Sequence, residues 1–147
     1  MTSSRNVAER AAGMTGDAAN VPIEGDADIV TARRKGRELA EQAGFTGRDL
    51  VLIATAISEI TRNIITYAGH GEMTLTVVTG EGRRGITVVA RDQGPGIDNV
   101  ERAMRDGFST GKSLGLGLPG ARRLMDDFDI VSVVGKGTTV TMTKWLR

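Results

Sequence analysis

The run from Ile86 to Gly96, Ile-Thr-Val-Val-Ala-Arg-Asp-Gln-Gly-Pro-Gly, constrains this chain more than any other stretch. Its first half alternates and is β-branched, which predicts a half-buried strand. Its second half stops that strand on Asp92 and turns the backbone at once on two glycines. Gly94 and Gly96 allow dihedrals closed to other residues and leave no Cβ in the path of a ligand. Asp92 is then a short acceptor at a bare strand end, suited to the edge of a flat, donor-bearing molecule such as adenine. A solvated Asp in an ordinary Gly-Pro-Gly turn fits the pentapeptide as well. The segments on either side have to decide.

Size and charge narrow the field. With 147 residues the chain is long enough for one domain with a real core and too short for two. Lys plus Arg is 19 and Asp plus Glu is 18, so the charge balance gives no reason to expect nucleic acid. One Trp, one Tyr and three Phe cannot build a base-stacking surface. Absence of Cys excludes disulfides and thiolate metal sites and fits a reducing compartment. No apolar run reaches the ~18 residues of a membrane span, and no compact apolar segment marks a secretory signal. The expectation is a cytoplasmic protein with no nucleic-acid or membrane partner.

Residues 1–20 are small, polar and weakly periodic, which predicts a mobile tail ahead of a domain over 21–147. Val21-Pro22-Ile23 suits a short edge strand. A helix follows, capped by Asp26 or Asp28 and stopped at Gly44, with Ile29, Ala32, Gly36, Leu39, Ala40 and Ala43 on one face. Its cluster Arg33, Arg34, Lys35 and Arg37 is expected to be a solvated face. A second, longer helix runs from about Thr46 to Tyr67 with Leu50, Ile53, Ile57, Ile60 and Ile64 as its core stripe. Glu59 and Asn63 stack one turn apart, at ~100° per residue on the border of that stripe. A helix presents polar groups to a cleft from that border. His70 sits in a glycine turn and is assigned no role.

Beyond it, Met73 to Thr79 and Ile86 to Arg91 form a hairpin. Asp98 to Asp106 predicts a short helix, Gly107 to Ser113 a movable loop, Leu118 to Phe128 another helix, and Ile130 to Val134 with Thr138 to Leu146 a closing hairpin. That order predicts a two-layer α/β sandwich: a mixed, mainly antiparallel sheet covered on one face by helices.

Two phosphate-binding patterns compete in the glycine-rich region. Gly107-Phe-Ser-Thr-Gly-Lys-Ser113 fails as a P-loop, because three residues separate its glycines where the motif needs four and no strand precedes it. Gly115-Leu-Gly-Leu-Pro-Gly120 satisfies G-x-G-x-x-G, yet it follows a loop late in the chain instead of a first strand. Its local chemistry survives the loss of the label. Gly115, Leu116, Gly117 and Leu118 offer backbone N–H groups at a helix start, and Pro119 fits the first turn. Lys112 and Ser113 stand near enough to meet a terminal phosphate, or are simply solvated. Asn63 adds a neutral oxygen of the kind Mg²⁺ accepts beside phosphate oxygens. Glu59 adds a base for an attacking hydroxyl or water. Asp92, the glycine cradle and the Glu/Asn pair together make a complete nucleotide site.

The order Glu59-xxx-Asn63, Asp92-x-Gly94-x-Gly96, Gly115-Leu-Gly117-Leu and Gly135-Lys-Gly137-Thr138-Thr139 resembles the GHKL (Bergerat) ATP-binding fold of bacterial DNA gyrase, Hsp90, MutL and sensor histidine kinases. Within it, Ala56 to Asn63, Asp106 to Thr110, Gly117 to Gly120 and Thr143 to Arg147 resemble the RsbT-like serine/threonine kinases of partner-switching sigma-factor control. The resemblance covers roughly 23–147. It implies ATP and Mg²⁺ as cofactors, with Asp92 on the adenine amino group, Gly96 admitting the base, and Thr138 or Thr139 assisting. It implies Asn63 on Mg²⁺, Glu59 as base, Gly115 and Gly117 on phosphates, and Gly107 to Ser113 as the lid. Lys112 substitutes there for the arginine associated with that lid. Implied partners are STAS-domain substrates of the RsbS/RsbR kind and a PP2C-type phosphatase of the RsbU kind. An anti-sigma factor that sequesters a sigma factor is the competing reading. A histidine-kinase catalytic domain is disfavoured, since no acceptor histidine rides on dimerisation helices.

Overall fold

The computed structural model describes residues 17–105 and 117–147. Their elements run β1 (Ala18–Ile23), α1 (Ala27–Ala43), α2 (Gly47–Tyr67), β2 (Gly71–Gly80), β3 (Arg83–Asp92), α3 (Val100–Ala103), α4 (Gly117–Leu124), β4 (Asp127–Val133) and β5 (Gly137–Trp145). The strands form one sheet in the order β1-β2-β3-β5-β4. Every pairing is antiparallel, so the expected α/β sandwich is present but its sheet is not mixed. The β2–β3 turn is tighter than the sequence suggested. Glu81 and Gly82, both at positive φ (52° and 78°), close it as two residues whose twist matches the flanking strands.

Strand alternation sends Met73, Leu75 and Val77 of β2, Ile86, Val88 and Ala90 of β3, and Val140 and Met142 of β5 to one buried face. The isoleucine stripe of α2 meets it: Ile53, Ile57, Ile60 and Ile64 are all buried in the same cluster. Beside α2 lies α1, and Gly36 makes the close crossing possible because a Cβ there would strike the Ile57 side chain. Helix α2 has the length and composition to cross a membrane, but half of that window is buried inside the protein. Its apolar side is the core.

The start of α1 is stabilised in an unexpected way. Asp26 holds the N-cap position without a side-chain bond, while the Asp28 carboxylate accepts from the Glu24 and Gly25 N–H groups (2.7 and 3.1 Å). Gly44, at φ 110°, ends it as expected. The basic cluster is largely paired along its own helix, Arg34 and Lys35 with Glu38 and Arg37 with Glu41, all well exposed. Such pairs contribute little, so this is the solvated face the spacing predicted.

Three boundaries differ from the sequence reading. Strand β1 begins at Ala18, inside the stretch expected to be tail. Helix α3 spans only Val100–Ala103, with the Asn99 side chain accepting from Arg102 N–H at its start. Helix α4 stops at Leu124, and Phe128 is in β4 opposite Met142 instead of continuing the helix. Asp126 explains the early stop. Its N–H donates to Thr143 O, and its carboxylate accepts from Trp145 N–H (2.7 Å) and pairs with Arg147. Lys144 Nζ also donates to the Leu124 carbonyl at the helix end. Tertiary bonds to β5 therefore override a local helical pattern.

Candidate active site

Asp92 closes β3 between two neighbours, opposite Gly71, the first residue of β2, and Thr138, the second residue of β5. Both flanks depend on missing side chains. A Cβ on Gly71 would meet Arg91 O, Ile64 Cγ2 and the Asp92 side chain, and a Cβ on Gly137 would meet the Asp92 and Gln93 backbone. Gly137 also sits at φ 129°, a conformation other residues rarely adopt. The carboxylate is oriented locally: Asp92 Oδ1 accepts from Gly94 N–H at 2.9 Å. Alternation puts Asp92 on the helix-covered side of the sheet, with Val88 and Ala90.

Gly94 and Gly96 both have close protein neighbours. A Cβ on Gly94 would lie 2.6 Å from Ala68 Cβ, at the end of α2. A Cβ on Gly96 (φ 79°) would strike the Val133 carbonyl and the Val134 backbone. Their bare faces accommodate protein, and they draw the 94–97 loop against α2 on one side and the β4–β5 turn on the other. Gly135 N–H donates to Pro95 O (2.8 Å), and Ile97 N–H donates to Ser132 Oγ (2.7 Å). Ser132 Oγ in turn lies 2.8 Å from Thr138 Oγ1.

Thr138 and Thr139 part company here. Thr138 is buried on the same face as Asp92, whereas Thr139, opposite Arg91, points to the other side of the sheet.

On α2, Glu59 is 8% exposed and both its oxygens are engaged. Oε1 accepts from Gly117 N–H (3.1 Å), and Oε2 accepts from Arg62 Nη1 (3.2 Å). Asn63, half-buried, is one turn further along. The helix thus touches the start of α4 through Glu59 and lies beside Gly94 of the Asp92 loop through Ala68, with Ile64 beside Gly71. At a rise of 1.5 Å per residue, the contacts at Glu59 and Ala68 are about 13 Å apart along the axis, and Asn63 is between them.

Gly117 begins α4 at φ 65°, and its N–H already faces a carboxylate. Leu118 is buried in the core, so only its backbone is available to a ligand. Lys112, Ser113, Gly115, Leu116 and the Gly107–Ser113 loop lie outside the described residues. No cluster of three or more His, Asp or Glu side chains forms among the described residues. An open cleft of about 620 Å³ lined by Val100, Glu101, Met104, Arg105, Arg122, Phe128, Asp129 and Ile130 includes none of the site residues expected from the sequence.

Arg62, Gly71 and Ser132 are not among the site residues expected from the sequence, and Gly137 enters there only within the Gly135-Lys-Gly137-Thr138-Thr139 turn. Gly137 alone left a signal, as the second glycine of a turn that precedes a strand.

Residues 24–144 match the histidine kinase-like ATPase domain family. The chain belongs to that family. Among relatives of this ATPase domain, it is 48% identical over 131 residues to the serine/threonine-protein kinase RsbT of Bacillus subtilis (strain 168), covering 89% of this chain and 98% of that one. It is 31% identical over 120 residues to the anti-sigma F factor of Thermoanaerobacter sp. (strain X514), covering 78% of this chain and 83% of that protein. The fold recurs in a Mycobacterium tuberculosis protein with RsbU and RsbW domains, at a TM-score of 0.59 and 21% identity over 87% of this chain and 32% of the other. It recurs too in the mycobacterial sensor histidine kinase MprB, at a TM-score of 0.54 and 14% identity over 88% of this chain and 96% of that one. The GHKL resemblance drawn from four short motifs extends across the fold, and the expected enzyme class, a protein serine/threonine kinase, is that of the B. subtilis relative.

Proposed function

We propose that this ATPase domain is an ATP-dependent protein kinase. It transfers the γ-phosphoryl group to a Ser or Thr of a STAS-domain protein in the cytoplasm and, once released, activates a PP2C-type phosphatase. The observation that carries this reading is the Glu59 carboxylate on the Gly117 N–H, with the Asp92 loop at the far end of the same helix. A carboxylate already occupies the N–H that a phosphate would use, and the loop that carries Asp92 meets the other end of the same helix.

In this reading Asp92 accepts from the adenine amino group while Gly94 N–H fixes its other oxygen. Thr138 supports the base from the neighbouring strand. Gly117 N–H, with Gly115, Leu116 and Leu118 backbone groups, holds phosphates, and Lys112 or Ser113 meets the terminal one. Asn63 is the protein donor to Mg²⁺, which neutralises phosphate charge when bound. Glu59 takes the proton from the substrate hydroxyl as its oxygen bonds to the γ-phosphorus. The bond from that phosphorus to the β–γ bridging oxygen breaks, and ADP leaves.

Similarity to an anti-sigma F factor supports a second reading, in which sequestering a sigma factor is the main task and transfer is secondary. The higher identity and nearly complete coverage of the kinase relative favour the first. Incubation with labelled Mg-ATP and a STAS-domain protein separates them. Label on serine or threonine is expected; no transfer together with tight capture of a sigma factor would replace the kinase reading by the other.

A further inference from the structure

Arg62 lies three residues after Glu59 on α2, its side chain 43% exposed, and it reaches back to the one Glu59 oxygen that Gly117 does not hold. The two partners differ in kind. Arg62 belongs to the same helix as Glu59 and keeps its distance whatever α4 does. Gly117 belongs to another element, and its N–H, at the start of an eight-residue helix, attracts any anion. A phosphate and the Glu59 carboxylate cannot both accept from that N–H, because two negative groups would then lie within about 4 Å of each other in a poorly solvated site.

We propose that Arg62 is a positioning residue that tethers Glu59 through Oε2, while Oε1 gives up the Gly117 N–H to an arriving phosphate group and is thereby freed toward the substrate hydroxyl. This rests on the kinase reading for the identity of the phosphate, but the exchange itself concerns only Arg62, Glu59 and Gly117. It makes the base available when nucleotide is bound and keeps it engaged when the site is empty. Without Arg62 the carboxylate would have Gly117 as its remaining partner and would compete with phosphate more strongly.

Calorimetry on the full chain tests this with a non-hydrolysable ATP analogue, adenosine and inorganic tripolyphosphate as separate probes. In Glu59→Gln, the analogue and tripolyphosphate bind about three-fold or more tighter than in the wild type, because a neutral amide is a weaker competitor for the N–H. Adenosine, with no phosphate, binds unchanged. In Arg62→Gln, the analogue binds more weakly and kcat for transfer falls about tenfold or more, with KM for the protein substrate unchanged. Arg62→Lys, which keeps the charge but not the fork, restores part of the lost kcat. Equal analogue and tripolyphosphate affinity in Glu59→Gln and wild type overturns the exchange. Wild-type kcat in Arg62→Gln overturns the tether. Tighter tripolyphosphate binding in Glu59→Gln, with no adenosine or analogue binding by the wild type, would uphold the exchange and reject the nucleotide reading instead.

Discussion

Asp92, the residue proposed to meet the base, is oriented by its own loop. Its Oδ1 is committed to Gly94 N–H, and the backbone on either side is fixed by the bare faces of Gly71 and Gly137. Asp92→Asn is therefore a clean test. The amide oxygen can keep the Gly94 bond, which turns an NH₂ donor toward the place where an adenine amino group would donate. Adenosine affinity is expected to fall by ~1–3 kcal/mol, the cost of a buried donor left without an acceptor, while thermal stability stays near wild type. Calorimetric titration reads the first and a melting curve the second. Unaltered adenosine affinity would take Asp92 out of the base site. The place of Asp92 at a strand end could be read from the sequence, because a β-branched run that stops on a carboxylate followed by two glycines marks such an end. Its supporting contacts could not, since Gly71 and Gly137 act on it across strands far apart in the chain.

At the scale of elements, the 94–97 loop marks where sequence logic and structure diverge. Two glycines beside a carboxylate suggest space for a ligand, yet both are required by protein neighbours, Ala68 for Gly94 and Val133–Val134 for Gly96. Gly96→Ala combines a φ of 79° with a collision against backbone that cannot rotate away. It is expected to cost more than ~1 kcal/mol of folding stability, measured by urea unfolding, besides weakening nucleotide binding. Loss of binding with unchanged stability would make Gly96 a residue of the base site alone. Helices α1 and α2 were legible almost to the residue, since their apolar spacing and their glycine or small-residue stops act locally. The end of α4 was not. Leu124 is followed by a pattern compatible with helix, and only the bonds from Asp126 to Thr143, Trp145 and Arg147 turn the chain into β4. The Glu59/Asn63 pair was visible as one turn of a helix border. The partner of Glu59 was not, because Gly117 meets it from the other end of the domain.

For the whole molecule, the proposed site is a junction between layers: α2 belongs to the helical layer, Asp92 and Thr138 to the sheet, and Gly117 to the start of α4. A ligand that touches all three stabilises the folded state as a unit, by RT ln(1 + [L]/Kd), about 2.7 kcal/mol when ligand is at a hundred times Kd. Mg-ATP is expected to raise Tm accordingly. The increment divides along the length of α2. Asn63 sits between the two ends, so Asn63→Ala should retain the whole stabilisation by adenosine and lose the extra part that Mg²⁺ adds to ATP over ATP with chelator. Asp92→Asn should show the reverse, with the adenosine response reduced and a Mg²⁺-dependent part preserved. Thermal shifts of the two variants with adenosine, ATP plus chelator and Mg-ATP resolve the halves of the site separately. If Asn63→Ala keeps the full Mg²⁺ increment, the metal is held without α2, and the arrangement of base, metal and phosphate along one helix fails as a description of this domain.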